Sequence, residues 1–128
     1  EPEIWIHAAA ILDYVPEFES GKTPSGSAKW NIELLPTKKH LQVLKKHVRN
    51  SRRIGFKLED GVDEETLISR SRTLISENDL IAVVANLLEE SHGYSQKRCR
   101  IVFPNGGVES IRDLPSLCEA IERIIDSN

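Results

Sequence analysis

Residues 4–14 constrain the fold more than any other stretch. Ile4 and Ile6 share one face of an extended run, and from Ala8 to Leu12 every position is apolar. That pattern predicts a strand over residues 3–12 that becomes buried on both faces, as in the parallel sheet of an α/β protein. Ala8, Ala9 and Ala10 are small enough to let another molecule approach the backbone. Asp13 then follows at the C-terminal edge of the strand. In open α/β sheets ligands bind along that edge.

The rest of the chain extends the pattern. Residues 15–28 are rich in Pro, Gly and Ser and predict a long loop, and such loops are commonly functional or disordered. Trp30, Ile32 and Leu34 alternate with Asn31 and Glu33 and predict a second strand over 30–35. Pro36 and Thr37 open a helix whose apolar face is Leu41, Leu44 and Val48, with lysines opposite. Residues 53–58 predict a short strand, and Gly55 within it marks a close approach. Asp63 is placed to cap a helix, with Glu64 and Glu65 in its first turn and Leu67, Ile68, Leu74 and Ile75 as its stripe. Residues 80–85 read as a buried strand ending at Asn86.

The remainder differs in character. Residues 91–97 are polar and read as loose. Residues 98–103, a Pro-Asn-Gly-Gly turn and residues 108–112 predict strand, turn and strand. Asp113 caps a last helix that turns Leu117, Ile121, Ile124 and Ile125 inward. The order implies an α/β fold: a Rossmann-like, mostly parallel sheet with a small antiparallel appendage, and a partial version of it.

Composition narrows the function classes. A chain of 128 residues has room for one domain with a core. A formal net charge of −3 argues against a general nucleic-acid binder. The cations are nevertheless concentrated. Lys38, Lys39, Lys45, Lys46, Arg49, Arg52, Arg53 and Lys57 occur with no acid between Glu33 and Glu59. This run reads either as a solvated helix face or as a positive field beside a polyanion such as a nucleoside triphosphate. Cys99 and Cys118 are too few for a disulfide framework, which points to a reducing, cytoplasmic compartment. No signal peptide is visible and no apolar run approaches bilayer length, so no membrane role is expected. The chain starts almost directly in a strand and contains no methionine, the expectation for a fragment of something longer.

Several motifs admit two readings. Gly21-Lys22-Thr23 suggests a phosphate loop, but the pattern's first glycine would fall at Pro16, and Pro24 obstructs the helix that must follow. Lys22 then reads as a mobile lysine that neutralises phosphate charge, or as an exposed loop residue. Asp13 reads as a group facing a ribose or a metal, or as a capping aspartate. Asn86 ends its strand in the same way, or serves a turn. His7, His40, His47 and His92 lack metal-ligand spacing. Ser25 and Ser27 lack a nucleophile-elbow context. Cys99, between Arg98 and Arg100, reads as a packed small hydrophobe.

Five segments, taken in order, resemble the phosphopantothenate–cysteine ligase family of coenzyme A biosynthesis, C-terminal part. Ala8-Ala9-Ala10-Ile11-Leu12-Asp13-Tyr14 is similar to that family's Ala-Ala-Val-x-Asp-Tyr strand end, and Gly21-Lys22-Thr23-Pro24-Ser25-Gly26 to its lysine loop. Ile32-Glu33-Leu34-Leu35-Pro36-Thr37 resembles the strand and turn that follow. Ile54-Gly55-Phe56-Lys57-Leu58-Glu59 and Val83-Val84-Ala85-Asn86 resemble two further strands. The resemblance covers residues 4–89 well and the tail only in general shape.

The resemblance implies a ligase that joins 4′-phosphopantothenate to cysteine. A nucleoside triphosphate, CTP or ATP, with Mg2+, activates the carboxylate as an acyl-nucleotidylate, and the cysteine amine then attacks. It implies Lys22 as the catalytic lysine and Asp13 at the ribose or the magnesium. It places Ala9 and Ala10 beside the intermediate and Phe56 beside the base. Lys38, Lys39, His40 and Leu41 would border the nucleotide at a helix start, and Asn86 would close the site. It also implies a homodimer.

Two departures qualify it. The family's glycine-rich N-terminal half is absent, so the fragment alone is expected to be inactive. Leu87 stands where bacterial CTP users carry aspartate, and Leu74 and Asn78 stand where they carry lysines, which opens ATP as the nucleotide. The alternative is a non-catalytic nucleotide-binding or subunit-interaction module of the same fold. An oxidoreductase is a weaker reading, because no GxGxxG is present.

Overall fold

The computed structural model describes residues 2–22, 25–26, 28–92 and 97–127. Thr23, Pro24 and Ser27 of the lysine loop, and residues 93–96, lie outside the described residues. Among the described residues, seven strands form one five-stranded sheet and a separate two-stranded ribbon, with three α-helices and a 3-10 turn over Leu88–His92.

The strands are β1 (Ile4–His7), β2 (Tyr14–Pro16), β3 (Leu34–Pro36), β4 (Arg52–Glu59), β5 (Ala82–Leu87), β6 (Cys99–Val102) and β7 (Val108–Ile111). The helices are α1 (His40–His47), α2 (Glu64–Asn78) and α3 (Leu114–Asp126). The main sheet runs β1-β4-β5-β6-β7, with β1, β4 and β5 parallel, β6 antiparallel to β5 and β7 antiparallel to β6. This is the expected Rossmann-like, mostly parallel architecture with an antiparallel appendage.

The pleat sends alternate residues of the central strands to two cores. Ile54, Ala82, Val84, Cys99, Ile101 and Ile111 face α3, where Ala120, Leu117, Ile121 and Ile124 meet them. Val83, Ala85, Leu87 and Val102 face α2, whose Leu67 and Ile75 pack with Leu80. Helices cover both faces of β5, and that explains the uninterrupted apolar reading of its sequence. Both long helices start at the expected caps. Asp63 accepts from the Thr66 backbone N–H and Asp113 from that of Ser116, each at 2.8 Å. Gly55 marks a close approach, but of protein rather than ligand. A Cβ there would meet Leu80 Cδ1 at 2.8 Å.

The strand expected over 80–85 runs instead from Ala82 to Leu87, with Asn86 inside it and not at its end, and three other boundaries differ more. The first strand ends at His7, and residues 8–12 are irregular and exposed. β1 has a partner on one side only, and its register stops at His7 opposite Gly55, so no ladder extends the strand through the alanines. The second expected strand keeps only Leu34–Pro36, and it pairs with β2 outside the main sheet. Alternation there does not bury one face: Trp30 is 66% exposed and Leu34 54%. The first helix begins at His40 rather than at Pro36. Pro36 belongs to the ribbon, and Thr37 is tied back to residues 12 and 13.

Candidate functional site

A cleft of about 550 Å³ opens at the C-terminal ends of the parallel strands. This volume falls in the usual range of small-molecule sites, roughly 300–1,000 Å³. Residues 8–13, which leave β1, form one wall, and residues 37–42 at the start of α1 form another. Phe56 and Lys57 of β4 and Asn86 of β5 contribute from the sheet. The cleft extends to Leu74, Glu77 and Asn78 in the last turns of α2.

Backbone hydrogen bonding joins the first two walls. The Thr37 N–H donates to the Asp13 carbonyl at 2.8 Å, and the Thr37 hydroxyl donates to the Leu12 carbonyl. Asp13 therefore sits at a bend just before β2, held against the approach to α1, and not at the end of β1. No side chain caps α1 at Lys39. The first-turn N–H groups of a helix have no intrahelical acceptors, so this end can donate to an anion. Lys38 and Lys39 lie beside it, and the rings of His7 and His40 stand 6.4 Å apart.

The sheet side is more firmly held. Lys57 Nζ lies 3.0 Å from Glu59 Oε1, and Arg70 Nη1 lies 2.9 Å from Glu59 Oε2. Burial pushes the Glu59 carboxyl up, but the hydrogen bonds and charges of Lys57 and Arg70 outweigh it and hold it below the ordinary 4.5. Asn86 lies between two braced neighbours. Arg100 is 1% exposed and forms a two-pronged ion pair with Glu90. Glu90 Oε2 accepts from the Leu87 N–H at 2.8 Å, while Arg100 reaches the Ala85 carbonyl at 3.4 Å. Asn78 donates from Nδ2 to the Leu74 carbonyl at 3.0 Å, and its buried Oδ1 has no hydrogen-bond partner.

Of the residues singled out in the sequence, Ala9, Ala10, Asp13, Lys38, Lys39, His40, Leu41, Phe56 and Asn86 all line this cleft. Lys22 does not. It is exposed on its loop, between Gly21 and Gly26 at φ 106° and 104°. The sequence reading missed His7, Thr37, Lys57 and Glu77. Lys57 stands inside a quoted segment, one residue from Phe56, so its signal was available. His7 and Glu77 had none. Leu74 and Asn78 are also cleft residues. Among the described residues no group of three or more His, Cys, Asp or Glu side chains could hold a metal. The carboxylates that line the cleft are those of Asp13 and Glu77. No helix among the described residues is long and apolar enough to cross a membrane.

Sheet order, flanking helices and a cleft across the strand ends define a Rossmann-like α/β domain with its ligand site in the customary position. Residues 1–124 match the DNA/pantothenate metabolism flavoprotein C-terminal domain, and the chain belongs to that family, the C-terminal part of the phosphopantothenate–cysteine ligases. A coenzyme A biosynthesis bifunctional protein CoaBC of Methanocaldococcus jannaschii is 31% identical over 90 residues, which is 70% of this chain and 22% of that protein. The DNA/pantothenate metabolism flavoprotein of Streptococcus pneumoniae superposes with a TM-score of 0.81 at 22% identity, over 98% of this chain and 63% of its own. A Cab2 mutant in complex with phosphopantothenate-cysteine matches at a TM-score of 0.59 and 20% identity, over 94% of this chain and 44% of its own. The chain thus spans less than two thirds of each of these proteins.

Proposed function

We propose that this chain supplies the nucleotide-facing part of a ligase that joins 4′-phosphopantothenate to cysteine through an acyl-nucleotidylate. The observation that carries the reading is the convergence of Asp13, the start of α1, Phe56 and Asn86 on one cleft. A carboxylate is a poor electrophile, and a mixed anhydride with a nucleotide divides one hard step into two easier ones. The work left to the protein is positioning and charge balance.

In this reading the α1 N-terminus with Lys38, Lys39 and Lys57 binds phosphate oxygens, and Phe56 stacks on the base. Asp13 contacts the ribose or Mg2+, and bound Mg2+ would neutralise charge on the phosphates. Ala9 and Ala10 allow the acyl group to lie against the backbone. Lys22 stabilises charge as pyrophosphate leaves. The nucleotide is CTP or ATP. Leu74 and Asn78 stand in place of the lysines of CTP users, which leaves ATP open as the nucleotide. A segment outside this chain completes the site, so the 128 residues alone would be inactive. The exposed ribbon suits a homodimer, and the cytoplasm suits the free thiols.

The test is made on the full-length protein. Titration calorimetry should detect CTP or ATP binding in the presence of Mg2+, and pyrophosphate should be released when phosphopantothenate is added. Lys22→Gln should slow that release far more than it weakens nucleotide binding. Equal losses in both would remove Lys22 from the chemistry. Nucleotide binding with no pyrophosphate release would favour the non-catalytic module, and no binding of either nucleotide would end both readings.

A further inference from the structure

The cationic run between Glu33 and Glu59 divides in space. Lys38, Lys39 and Lys57 line the cleft, whereas Lys45, Lys46, Arg49 and Arg53 line a second depression of about 560 Å³. Gln42 and Glu77 form the partition between the two. We propose that this second depression is a binding site of its own, for a phosphate-class oxyanion, centred on Arg53.

Helix-end electrostatics account for part of the cluster. Cations near helix C-termini complement the carbonyl ends. Lys45 Nζ donates to the Glu77 carbonyl at 3.1 Å and pairs with Asp79 Oδ2 at 2.9 Å. Arg49 Nε donates to the Lys46 carbonyl at 3.1 Å. Arg53 does not fit that account, because it lies on β4 and not on a helix. It is 5% exposed, it lines the depression, and its Nε and Nη1 are buried without a hydrogen-bond partner. The two carboxylates in the depression are those of Glu77 and Asp79, and neither is paired with it. A guanidinium with two buried, unpaired nitrogens is costly unless an anion meets it. Its planar fork matches the oxygens of a phosphoryl group, and Lys46 adds a point charge from the rim. This site does not depend on the ligase reading, since it uses none of the residues assigned to the nucleotide.

The test compares inorganic phosphate, pyrophosphate and a nucleoside triphosphate on the full-length protein at matched ionic strength. Phosphate also stabilises proteins non-specifically by exclusion from their surface. The readout is therefore a saturable shift of the Arg53 Nε–H resonance in proton–nitrogen spectra, with calorimetry beside it. Phosphate or pyrophosphate should bind saturably while a nucleotide already occupies the cleft. Arg53→Met should abolish that binding, leave nucleotide affinity unchanged, and keep or raise the melting temperature of the free protein. Lys46→Ala, at an exposed position, should weaken phosphate about tenfold, the scale of one lost charge-assisted hydrogen bond. A wild-type protein without saturable phosphate binding overturns the proposal. So does phosphate binding retained in Arg53→Met or competed away by nucleotide. If Arg53→Met fails to fold, unchanged phosphate affinity in Lys46→Ala overturns it alone.

Discussion

The cleft is assembled from two unlike parts of the molecule. Residues 52–126 contain both apolar cores, with Ile54, Leu67, Val83 and Ile101 fully buried between helices and sheet. Every described residue from 8 to 36 is exposed, including Leu12, Phe18 and Trp30. The first part presents Phe56, Lys57 and Asn86 from strands fixed on both sides. The second presents Asp13 from a segment held mainly by backbone bonds to Thr37 and by the ribbon. A site straddling such a boundary can keep one wall pre-formed while the other adapts to substrate. Interfering with each part separately should show whether the division is real.

The largest effect should come from the braced part. Glu90→Ala leaves the Arg100 guanidinium buried without its main partner. Breaking such a pair from one side costs about 3–5 kcal/mol. Chemical denaturation should register that loss, and Asn86 should lose its fixed neighbours at the same time. A loss below about 1 kcal/mol, the scale of an exposed pair, would mean that Glu64, whose Oε1 lies 3.2 Å from Arg100 Nε, takes over.

Gly55→Ala ranks next. The new methyl would meet Leu80 Cδ1 at 2.8 Å, and Leu41 Cδ1 stands 3.8 Å away. Overpacking of this kind costs about 1–3 kcal/mol. Because Leu41 also lines the cleft, the same change should loosen the α1 wall and weaken nucleotide binding. Pairing it with Leu80→Ala should restore much of the loss, and no recovery would show that the strain is carried elsewhere.

Legibility in the sequence follows the same division. The caps Asp63 and Asp113, the paired strands β6 and β7 and the inward face of α3 were readable because local chemistry and burial agree there. The expected strand over residues 3–12 was not, because strand length depends on a neighbour, and β1 has one only as far as His7. Asp13, Phe56 and Asn86 were singled out through family-like segments, and one cleft gathers them although neither Asp13 nor Asn86 ends its strand. Glu77 and His7 were invisible, since only folding brings the end of α2 and the end of β1 to the same walls. The Arg100–Glu90 pair was hidden for a related reason. In sequence Arg100 merely flanks Cys99 in a charged stretch, and its burial comes from the turn over Leu88–His92 folding back on β5.

Acid should separate the parts more gently. Burial raises the Glu59 carboxyl, but Lys57 and Arg70 lower it further, and Lys97 leads the groups that hold Glu64 down. Asp63 and Asp113 are lowered by their capping bonds to Thr66 and Ser116. All four belong to the well-packed part. Each folded-state value lies below its unfolded one, so the unfolded chain binds protons first as pH falls. Their stabilisation is complete above the ordinary value of 4.5 and is lost as pH drops through the depressed values. Melting temperature should be flat from neutral pH to about pH 5 and decline below it, less steeply in Glu59→Gln. A decline that begins near neutrality would contradict this account.

The smallest effect should be the most discriminating. Leu34 on β3 is 54% exposed, so Leu34→Ala in this chain should change stability by about 0.5 kcal/mol or less. In the full-length protein the proposed homodimer changes that expectation. A two-stranded ribbon is marginal by itself, and Tyr14, Val15, Leu34 and Leu35 are exposed hydrophobics on it. If a second copy covers the ribbon, Leu34→Ala should shift the sedimenting species toward monomer and lower the melting temperature in a concentration-dependent way. An equally small change in both proteins would mean that the ribbon stays solvated. Asp13 would then be held only by Thr37 and its own chain, leaving the contrast between the two walls of the cleft at its sharpest.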